Sequence, residues 1–527
     1  MADEQKSRLY KLKPLTDRLP AVKRPDGHVH FRTKLLWVIL MLVFYFVMTN
    51  VFLYGLDQSN IIDIFGPYRA ILAGAQGSLM HLGIGPIVTG SIIMQLFVGA
   101  KIIKLDLTND EDKAVYQGTQ KFLVIIMIIV EAVPQVFGYL KPSATLVSGL
   151  DSVVGASGLF SGNSIALFII IAQLFVGSYL VFLMDEVVSK WGIGSGISLF
   201  IAAGVAQAIF TGTINWNPVD GSEALSTSNP PAGTIPKTIY YLVSLSASEM
   251  ASGGYETILL QPPNAMVALV GTIAIFLFVS YIESARIELP LAHGTARGAR
   301  GRYPIKLLYA SNIPVILMAA VLANISMFAL LFYTNDTLSQ IPLLGHNSWL
   351  GYYTAESGSS PAGGLAWYLS NPNGLSNWLL PMLDPVTYSS YVFGHNSIQI
   401  LAHVVVYVSV MVLGSIVFAK FWIMTTNMGP EAVAKQIESS GLQIPGFRRD
   451  PRVLKRVLER YIPVVTIISG ALVGALAAGA DLIGTVGNAS GTGVLLAVGI
   501  LIQFYEALGR EQMMEMHPML RGFFGGE

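Results

Sequence analysis

The stretch "KWGIGSGISLF" (residues 190–200) places glycine at every second position, as some loops that bind a nucleotide phosphate do. A dinucleotide-binding fingerprint also needs a strand before the glycines and an acidic residue about 20 positions after them. Neither is found, because the stretch instead opens an apolar run over 193–211. The glycines therefore predict close packing between helices, which small residues allow in membrane bundles.

Apolar runs of this kind dominate the chain. Of its 527 residues, 53% are hydrophobic and only 12% are charged, with a mean hydropathy of +0.58. A helix of roughly 20 apolar residues spans a bilayer. Ten segments have about that length: 35–54, 83–100, 117–139, 163–184, 193–211, 264–282, 305–332, 398–419, 461–481 and 489–509. The sequence predicts an all-α polytopic membrane protein with ten transmembrane helices.

The distribution of lysine and arginine predicts how these helices are oriented. Residues 1–34 hold nine Lys/Arg, whereas 333–399 hold none. Basic residues concentrate in cytoplasmic loops, so we expect an integral protein of the cell membrane with both termini in the cytoplasm. The predicted divisions are a cytoplasmic N-terminal segment 1–34, a first five-helix half 35–211, an external loop 212–262, a second half 263–509 with cytoplasmic loops 283–306 and 420–460 and external loop 333–397, and a cytoplasmic tail 510–527.

Two of the cytoplasmic loops are unusually basic. The first contains Arg297, Arg300 and Arg302 among glycines, and the second contains Arg448 and Arg449. Such charges attract anionic lipid at the membrane surface. Arginine interleaved with glycine is equally typical of segments that bind phosphate backbones, so a partner that carries nucleic acid is the second interpretation.

No motif predicts catalysis. The absence of cysteine excludes disulfides, thiolate metal sites and cysteine nucleophiles. "GASG" (155–158) resembles the serine motif of intramembrane proteases, with His403 as a conceivable base, but Ser157 falls in an outer loop rather than at a helix terminus inside the membrane. HExxH, paired aspartates and a P-loop lysine are also missing. We expect neither an enzyme nor a cofactor.

Short internal matches suggest that the chain is built from two related halves. "LGIGPIV" (82–88) in the second span pairs with "SNIPVIL" (311–317) in the seventh, and "GIGSGISL" (192–199) in the fifth pairs with "NASGTGVLL" (488–496) in the tenth. Because each half has five spans, the second half starts on the opposite side of the membrane, which is an inverted repeat.

Several longer motifs resemble the SecY family, the channel subunits of the Sec protein translocon, in its archaeal form. They are "LGIGPIVTGSIIMQL" (82–96), "DEVVSKWGIGSGISLFIAAGV" (185–205), "RIELPLAHG" (286–294), "YPIKLLYASNIPVILMAA" (303–320) and "GTGVLL" (491–496). The resemblance implies two inverted halves around a central pore, with a gate that opens sideways into lipid. The external segments 212–262 and 333–397 look longer than is typical of the family.

The resemblance also implies a ring of aliphatic residues at the narrowest point of the pore. The matching positions are Ile84, Val88, Ile193, Ile197, Ile316 and Leu496. Ile84 and Val88 are four residues apart, as are Ile193 and Ile197, so each pair can share a helix face. A hydrophobic constriction that water leaves readily would hold back ions. Without the resemblance, these would be ordinary packing residues.

A plug and a polar gate cluster are implied in the same way. The plug is expected at 65–77, with Phe65, Tyr68, Arg69, Ile71 and Leu72, and Arg69 is expected to face the outer vestibule. The alternative for this segment is a re-entrant or interfacial stretch. The gate cluster is expected at Thr89, Glu131 and Asn324, although Glu131 lies near the outer end of its span and could simply be solvated there.

The predicted function is therefore a channel that passes unfolded or nascent polypeptides across the membrane and releases hydrophobic segments sideways into lipid. The alternative is an inverted-repeat secondary transporter of a small solute, which should show polar residues at the membrane midplane. The resemblance implies SecE (gamma) and a small beta subunit as partners, together with the ribosome and its nascent chain, signal peptides, transmembrane segments and lipids, but no direct binding of DNA.

Overall fold

The computed structural model describes most of the chain between Arg8 and Met516. The residues that it leaves out within that range are 28, 58–68, 101, 104, 106–108, 155–160, 221–222, 294–299, 336–337, 342–343, 355–359, 427, 440–441 and 444–450.

Ten apolar helices run through the described part of the chain, one for each predicted span. We number them α1 to α10, and their bounds are Phe31–Asn50, Gly85–Gly99, Asp110–Gly138, Gly162–Trp191, Gly196–Ile214, Met266–Glu283, Ile313–Thr334, Ser397–Thr425, Pro451–Ile483 and Gly491–Met516. The prediction of a helical polytopic membrane protein is confirmed.

Helix α2 is shorter than the others. Its 15 residues rise about 22 Å, less than the hydrocarbon core of about 30 Å. The segment just before α2 spans the remaining thickness, because Met80, Leu82 and Ile84 are buried in the bundle and at most 4% exposed. The chain therefore enters the bundle as irregular backbone before α2 begins.

The two halves pack their helices in the same pairs. Contacts join α2 with α3, α3 with α4, α4 with α5 and α1 with α4, and the equivalent contacts join α7 with α8, α8 with α9, α9 with α10 and α6 with α9. Helices α2 and α7 both carry proline in their first turn, where the missing N–H costs no hydrogen bond. This correspondence agrees with the predicted repeat.

The basic loop at 283–306 contains a hairpin that the sequence interpretation missed. Strands β1 (Arg286–His293) and β2 (Arg300–Lys306) pair antiparallel, and β3 (Leu442–Gln443) joins the far end of β1. Arg286 lies opposite Lys306, and both cations contact Glu506 of α10. Two like charges are thus tolerated at the base of the hairpin because one carboxylate compensates them.

Shorter helices occupy the segments between the spans. At the N-terminus they are Arg8–Leu12 and Lys13–Thr16, and between α3 and α4 there is Ala144–Val154. The others are Thr234–Ser244, Ala247–Glu249, Met250–Gly254, Tyr255–Leu259, Leu338–Gln340, Leu365–Leu369, Leu375–Asn377, Leu379–Leu383, Pro385–Tyr388, Ser389–Val392, Pro430–Ser439 and Val486–Asn488. The two long segments predicted to be external therefore have their own secondary structure.

The N-terminal segment is docked on the bundle rather than extended away from it. Glu186 of α4 accepts a hydrogen bond from the backbone N–H of Val22 at 2.8 Å and forms ion pairs with Lys121 and Lys190. Lys34 at the start of α1 pairs with Glu511 of α10 at 2.7 Å. The five side chains of these ion pairs are only 9–23% exposed, so the cost of desolvating the charges offsets much of their attraction. They nevertheless bring charges that we predicted to be cytoplasmic together at one end of the bundle.

Candidate functional site

The six aliphatic residues predicted for the ring all lie at or near the starts of four helices. Ile84 precedes α2 and Val88 lies in its first turn, while Ile316 holds the corresponding place in α7. Ile193 and Ile197 flank the start of α5, and Leu496 lies in the second turn of α10.

These six side chains belong to one hydrophobic cluster. Ile84 and Leu496 are 0% exposed, Ile193 is 3% exposed, and only Ile197 is half-buried. Because the helices approach from both halves, the cluster joins the halves at their centre. This cluster is the main core of the whole bundle and contains many other residues of both halves, so the ring arrangement of these six stays a prediction.

The end of the predicted plug packs against this cluster. Ile71 is 1% exposed and Leu72 is 7% exposed, and both belong to the same cluster. The carbonyl of Leu72 accepts a hydrogen bond from the backbone N–H of Ile84 at 2.8 Å. Phe65 and Tyr68 lie outside the described residues.

Gly83 makes the contact between the plug and α2 possible. It has a φ of +55°, and a Cβ at this position would lie 2.1 Å from the carbonyl oxygen of Leu72. Glycine is favoured here both because of its backbone conformation and because the two chain segments approach so closely.

The Arg69 side chain differs from its predicted orientation. It is half-buried, and its Nη1 atom has no contact with solvent. Instead of facing an outer vestibule, the side chain lines a small cavity with His81, Glu131, Gln135 and Asn324. The basic residue of the plug segment therefore lies beside the polar residues predicted for the gate.

Thr89, Glu131 and Asn324 form one hydrogen-bonded group across three helices. The Thr89 hydroxyl lies 2.8 Å from Oε1 of Glu131 and accepts a hydrogen bond from Nδ2 of Asn324 at 3.2 Å. Glu131 is only 5% exposed, so the alternative that it is simply solvated is wrong. The group links α2 and α3 of the first half to α7 of the second half.

Other contacts along this boundary were not foreseen from the sequence. Nε2 of Gln135 in α3 lies 3.5 Å from the sulfur of Met327 in α7. A Cβ on Gly99 would lie 2.5 Å from the ring of Phe421, which brings the end of α2 against α8. Such pairings have no signal in a single sequence because they join residues that are about 190 or more positions apart.

The glycines of the "GIGSG" stretch have two different roles. Gly194 has a φ of +78°, and a Cβ there would meet only Phe504, at 3.9 Å. At Gly196, by contrast, a Cβ would lie 2.6 Å from the Cα of Asp185. The predicted close packing thus applies to Gly196, whereas Gly194 is needed for its left-handed backbone.

Only part of the predicted basic surface lies in the described chain. Arg297, Arg448 and Arg449 are outside it. The backbones of Arg300 and Arg302 lie in β2, opposite Ala292 and Pro290 of β1. The last residue of this strand, Lys306, contacts Glu506 of α10.

Of the two residues considered for protease chemistry, only His403 belongs to the described part of the chain. Ser157 is outside the described residues. Nε2 of His403 lies 2.9 Å from the carbonyl oxygen of Ser370, and its ring packs on Trp367 with 4.3 Å between the centroids. These contacts give His403 a role in anchoring α8 to the preceding segment.

Comparison with protein families agrees with this architecture. The family described as SecY matches residues 78–505, and the plug domain of Sec61p matches residues 43–77. The protein translocase subunit SecY of Archaeoglobus fulgidus is 45% identical over 98% of both chains. The subunit of Halobacterium salinarum is 43% identical over 97% of this chain and 98% of its own length.

Solved structures of channels have the same fold. A structure described as that of a protein-conducting channel is 37% identical and superimposes with a TM-score of 0.74, covering 96% of this chain and 98% of the other. Sec61 in the canine ribosome–channel complex from the endoplasmic reticulum is 37% identical over the same shares, with a TM-score of 0.71.

None of these comparisons supports the alternative of a small-solute transporter. The fold, the full-length archaeal relatives and the solved channels agree with one another instead. The chain therefore belongs to the SecY family and is the protein-conducting channel subunit of a protein translocase.

Proposed function

We propose that polypeptides pass through a constriction formed by Ile84, Val88, Ile193, Ile197, Ile316 and Leu496, and that the plug segment 65–77 closes it. The observation that carries this proposal is the position of the six aliphatic side chains at helix starts in the core that both halves share, where the carbonyl of Leu72 in the plug segment accepts a hydrogen bond from the N–H of Ile84. Aliphatic side chains offer a moving backbone no hydrogen bonds, and a narrow apolar waist expels water and ions.

Cysteine crosslinking tests this path, since the natural chain has no cysteine. A single cysteine at Ile84, Ile193 or Ile316 is expected to form a disulfide with a cysteine in a translocation-arrested substrate. A cysteine at Phe278, which is 57% exposed on α6, is the control and should remain uncrosslinked. Equal crosslinking at Phe278 and at the ring positions would contradict the proposed path.

We further propose that hydrophobic segments leave sideways between α2 and α3 on one side and α7 and α8 on the other. The hydrogen bonds among Thr89, Glu131 and Asn324 support this assignment, because they join the two halves along that boundary. Polar groups are costly in lipid. The cluster would therefore bias the boundary towards closure until an apolar segment replaces its contacts.

The orientation proposed for the chain places both termini in the cytoplasm of a cell whose plasma membrane holds the protein. Under this proposal, the cytoplasmic segments are 1–34, 283–306, 420–460 and 510–527. The external loops are 212–262 and 333–397, and the two halves are 35–211 and 263–509. The contacts of Glu186, Glu506 and Glu511 with basic partners at one end support this division. Basic residues concentrate on the cytoplasmic side.

The proposed partners are SecE (gamma), a small beta subunit and a ribosome that feeds its nascent chain into the channel. The related canine channel in its complex with a ribosome supports the last of these. Neither catalysis nor a bound cofactor is part of the proposed mechanism, so a partner must supply the force on the substrate. The base of the hairpin β1–β2 contacts Glu506 of α10, near Glu511, which pairs with Lys34 at the start of α1.

Charge reversal tests ribosome docking. Replacing Arg300, Arg302, Arg448 and Arg449 with glutamate is expected to weaken ribosome binding. The fall of log affinity with log salt should also become shallower, its slope decreasing in magnitude by about 3. The measurement is co-sedimentation with ribosomes across a salt series. Lys23→Glu with Arg24→Glu, at exposed positions of the N-terminal segment, serves as the control. An unchanged slope in the four-arginine variant would show that these loops are not the docking surface.

A further inference from the structure

Two aspartates hold the starts of the fifth and tenth helices in the same way. Asp185, in the last two turns of α4, accepts a hydrogen bond from the backbone N–H of Ile197 at 2.9 Å. Asp481, in the last turn of α9, accepts one from the backbone N–H of Thr492, also at 2.9 Å. Each carboxylate thus binds an amide in the first turn of the helix that follows its own.

The approach of the backbones is also repeated. Gly196 and Gly491 are the first residues of α5 and α10. A Cβ on Gly196 would lie 2.6 Å from the Cα of Asp185, and one on Gly491 would lie 2.3 Å from the backbone nitrogen of Asp481. Only glycine lets the carboxylate-bearing backbone come so close. A residue with positive φ lies shortly before each glycine: Gly194 (+78°) is two positions before Gly196, and Ser490 (+50°) is directly before Gly491.

The carboxylates satisfy groups that every helix leaves unpaired. The first N–H groups of a helix have no partner within it, and they carry a partial positive charge that an anion stabilises. Ser195 precedes α5 but makes no capping bond to that helix. A cap from a neighbouring side chain would leave α5 free to pivot, whereas a cap from α4 fixes its direction.

We propose that Asp185 and Asp481 are paired positioning residues for the constriction, one in each half of the inverted repeat. This inference rests on the ring assignment made above. Asp185 holds the amide of Ile197 itself, and Asp481 holds the amide of Thr492, one helical turn before Leu496 on the same face. The ring residues of α5 and α10 would then move as rigid bodies with α4 and α9 when the halves separate.

Tyr407 adds a third bond on the second-half side. Its hydroxyl donates to Oδ2 of Asp481 at 2.7 Å, and the Thr492 hydroxyl donates to the same oxygen at 2.5 Å. Asp481 is 1% exposed, so its carboxylate depends on these donors. This network also links α8 to the start of α10.

The chain offers a matched control at another helix start. Asp151 accepts a hydrogen bond from the backbone N–H of Gly162, the first residue of α4, at 2.7 Å. A Cβ on Gly162 would lie 2.6 Å from the backbone nitrogen of Asp151. The close approach is the same, and Ser161 also caps α4, as Ser490 caps α10 through the N–H of Gly493. The first turn of α4 carries no proposed ring residue, so Asp151 is matched most closely to Asp481.

The experiment measures ion leakage through the complete translocase in planar bilayers, with the plug deleted so that it does not mask an open waist. Asp185→Ala and Asp481→Ala are each expected to raise the open probability about tenfold, the fold change that corresponds to one lost helix cap. Asp185→Asn keeps the one acceptor oxygen that the amide of Ile197 uses and should stay close to the parent. Asp151→Ala should also stay close to the parent.

A second readout follows the caps directly. In hydrogen exchange, Asp185→Ala should speed exchange in the first turn of α5, Asp481→Ala in that of α10, and Asp151→Ala in that of α4. If all three variants speed exchange but only Asp185→Ala and Asp481→Ala leak ions, the positioning role is supported. Equal leakage from Asp151→Ala would mean general destabilisation and would overturn the proposal.

The test separates this proposal from the ring assignment. If polar substitutions at Ile193 and Ile197 leak while both alanine variants stay tight, the ring assignment stands and the positioning role is overturned. If an alanine variant does not assemble, the serine variant at that position replaces it, because a serine hydroxyl is too short to reach the amide. The same leak is expected, and a tight serine channel overturns the proposal.

Discussion

Replacing Ile193 and Ile197 with asparagine, together with deletion of residues 65–72, is expected to make the resting channel conduct ions. Transferring one large aliphatic side chain into water costs about 1.5–3 kcal/mol, so polar groups at two ring positions should strongly favour a wet waist. Since about 1.4 kcal/mol is a factor of ten in an equilibrium, the open probability should rise at least tenfold. The measurement is single-channel conductance of the purified complex in planar bilayers.

The deletion ends at residue 72 because the chain beyond it begins the path into α2. Ala75 donates its N–H to the carbonyl of Met80, and Leu53 donates to that of Gly77, so removing this stretch would disturb the bundle. The deletion alone and the double valine variant are the controls, since valine keeps the waist apolar. A double asparagine variant as tight as these controls would show that the ring assignment is wrong.

Replacing Asn324 with leucine is expected to let less hydrophobic segments leave the channel sideways. Asn324 is the α7 member of the polar group, and its Nδ2 atom bonds to Thr89 of α2 at 3.2 Å. A hydrogen bond between membrane helices contributes about 0.6–2 kcal/mol. Leucine would leave a boundary whose contacts lipid can replace, so the insertion threshold should fall by about 1 kcal/mol of segment hydrophobicity.

The measurement is a series of model segments of graded hydrophobicity, scored for insertion against translocation. Thr89→Val breaks the same contact from the other half and should shift the threshold in the same direction. Ser326→Ala is the control, because Ser326 lies on α7 but outside the polar group and is 9% exposed. An identical threshold in Asn324→Leu and the parent would contradict the gate assignment.

The helical architecture could be predicted because its cause is local in the sequence. A span needs about 20 consecutive apolar residues whatever it packs against, and each of the ten apolar runs became one helix. The repeat could be detected for a similar reason. Proline at the start of α2 and α7, and glycine at the start of α5 and α10, are residue types that suit the backbone of a helix terminus.

The hairpin β1–β2 could not be predicted in this way. Arg286, Arg300 and Lys306 made the segment look like a solvated loop. The two cations at the base of the hairpin are compensated by the carboxylate of Glu506, which is some 200 residues away in α10. A long-range contact of that kind has no periodicity to detect.

For the charged and polar side chains inside the bundle, the sequence likewise identified the residues but not their contacts. The sequence identified Glu131, Thr89 and Asn324 as unusual because lipid disfavours them. It could not determine that they share hydrogen bonds, nor that Arg69 turns towards them. A side chain's orientation depends on the space left by neighbours, and close packing decides that space only in the assembled bundle.

Local chemistry in the chain was thus sufficient for the number of spans, the segregation of basic charge and the positions at which helices begin. Tertiary structure alone decided which helix starts meet, which carboxylate holds which amide, and whether a glycine serves for its φ or for its missing Cβ. Asp185 and Gly196 illustrate the difference, because they are 11 positions apart in the sequence and become informative only when their backbones touch. The physical reason is that hydrophobicity acts on each segment separately, whereas packing and hydrogen bonding act between segments.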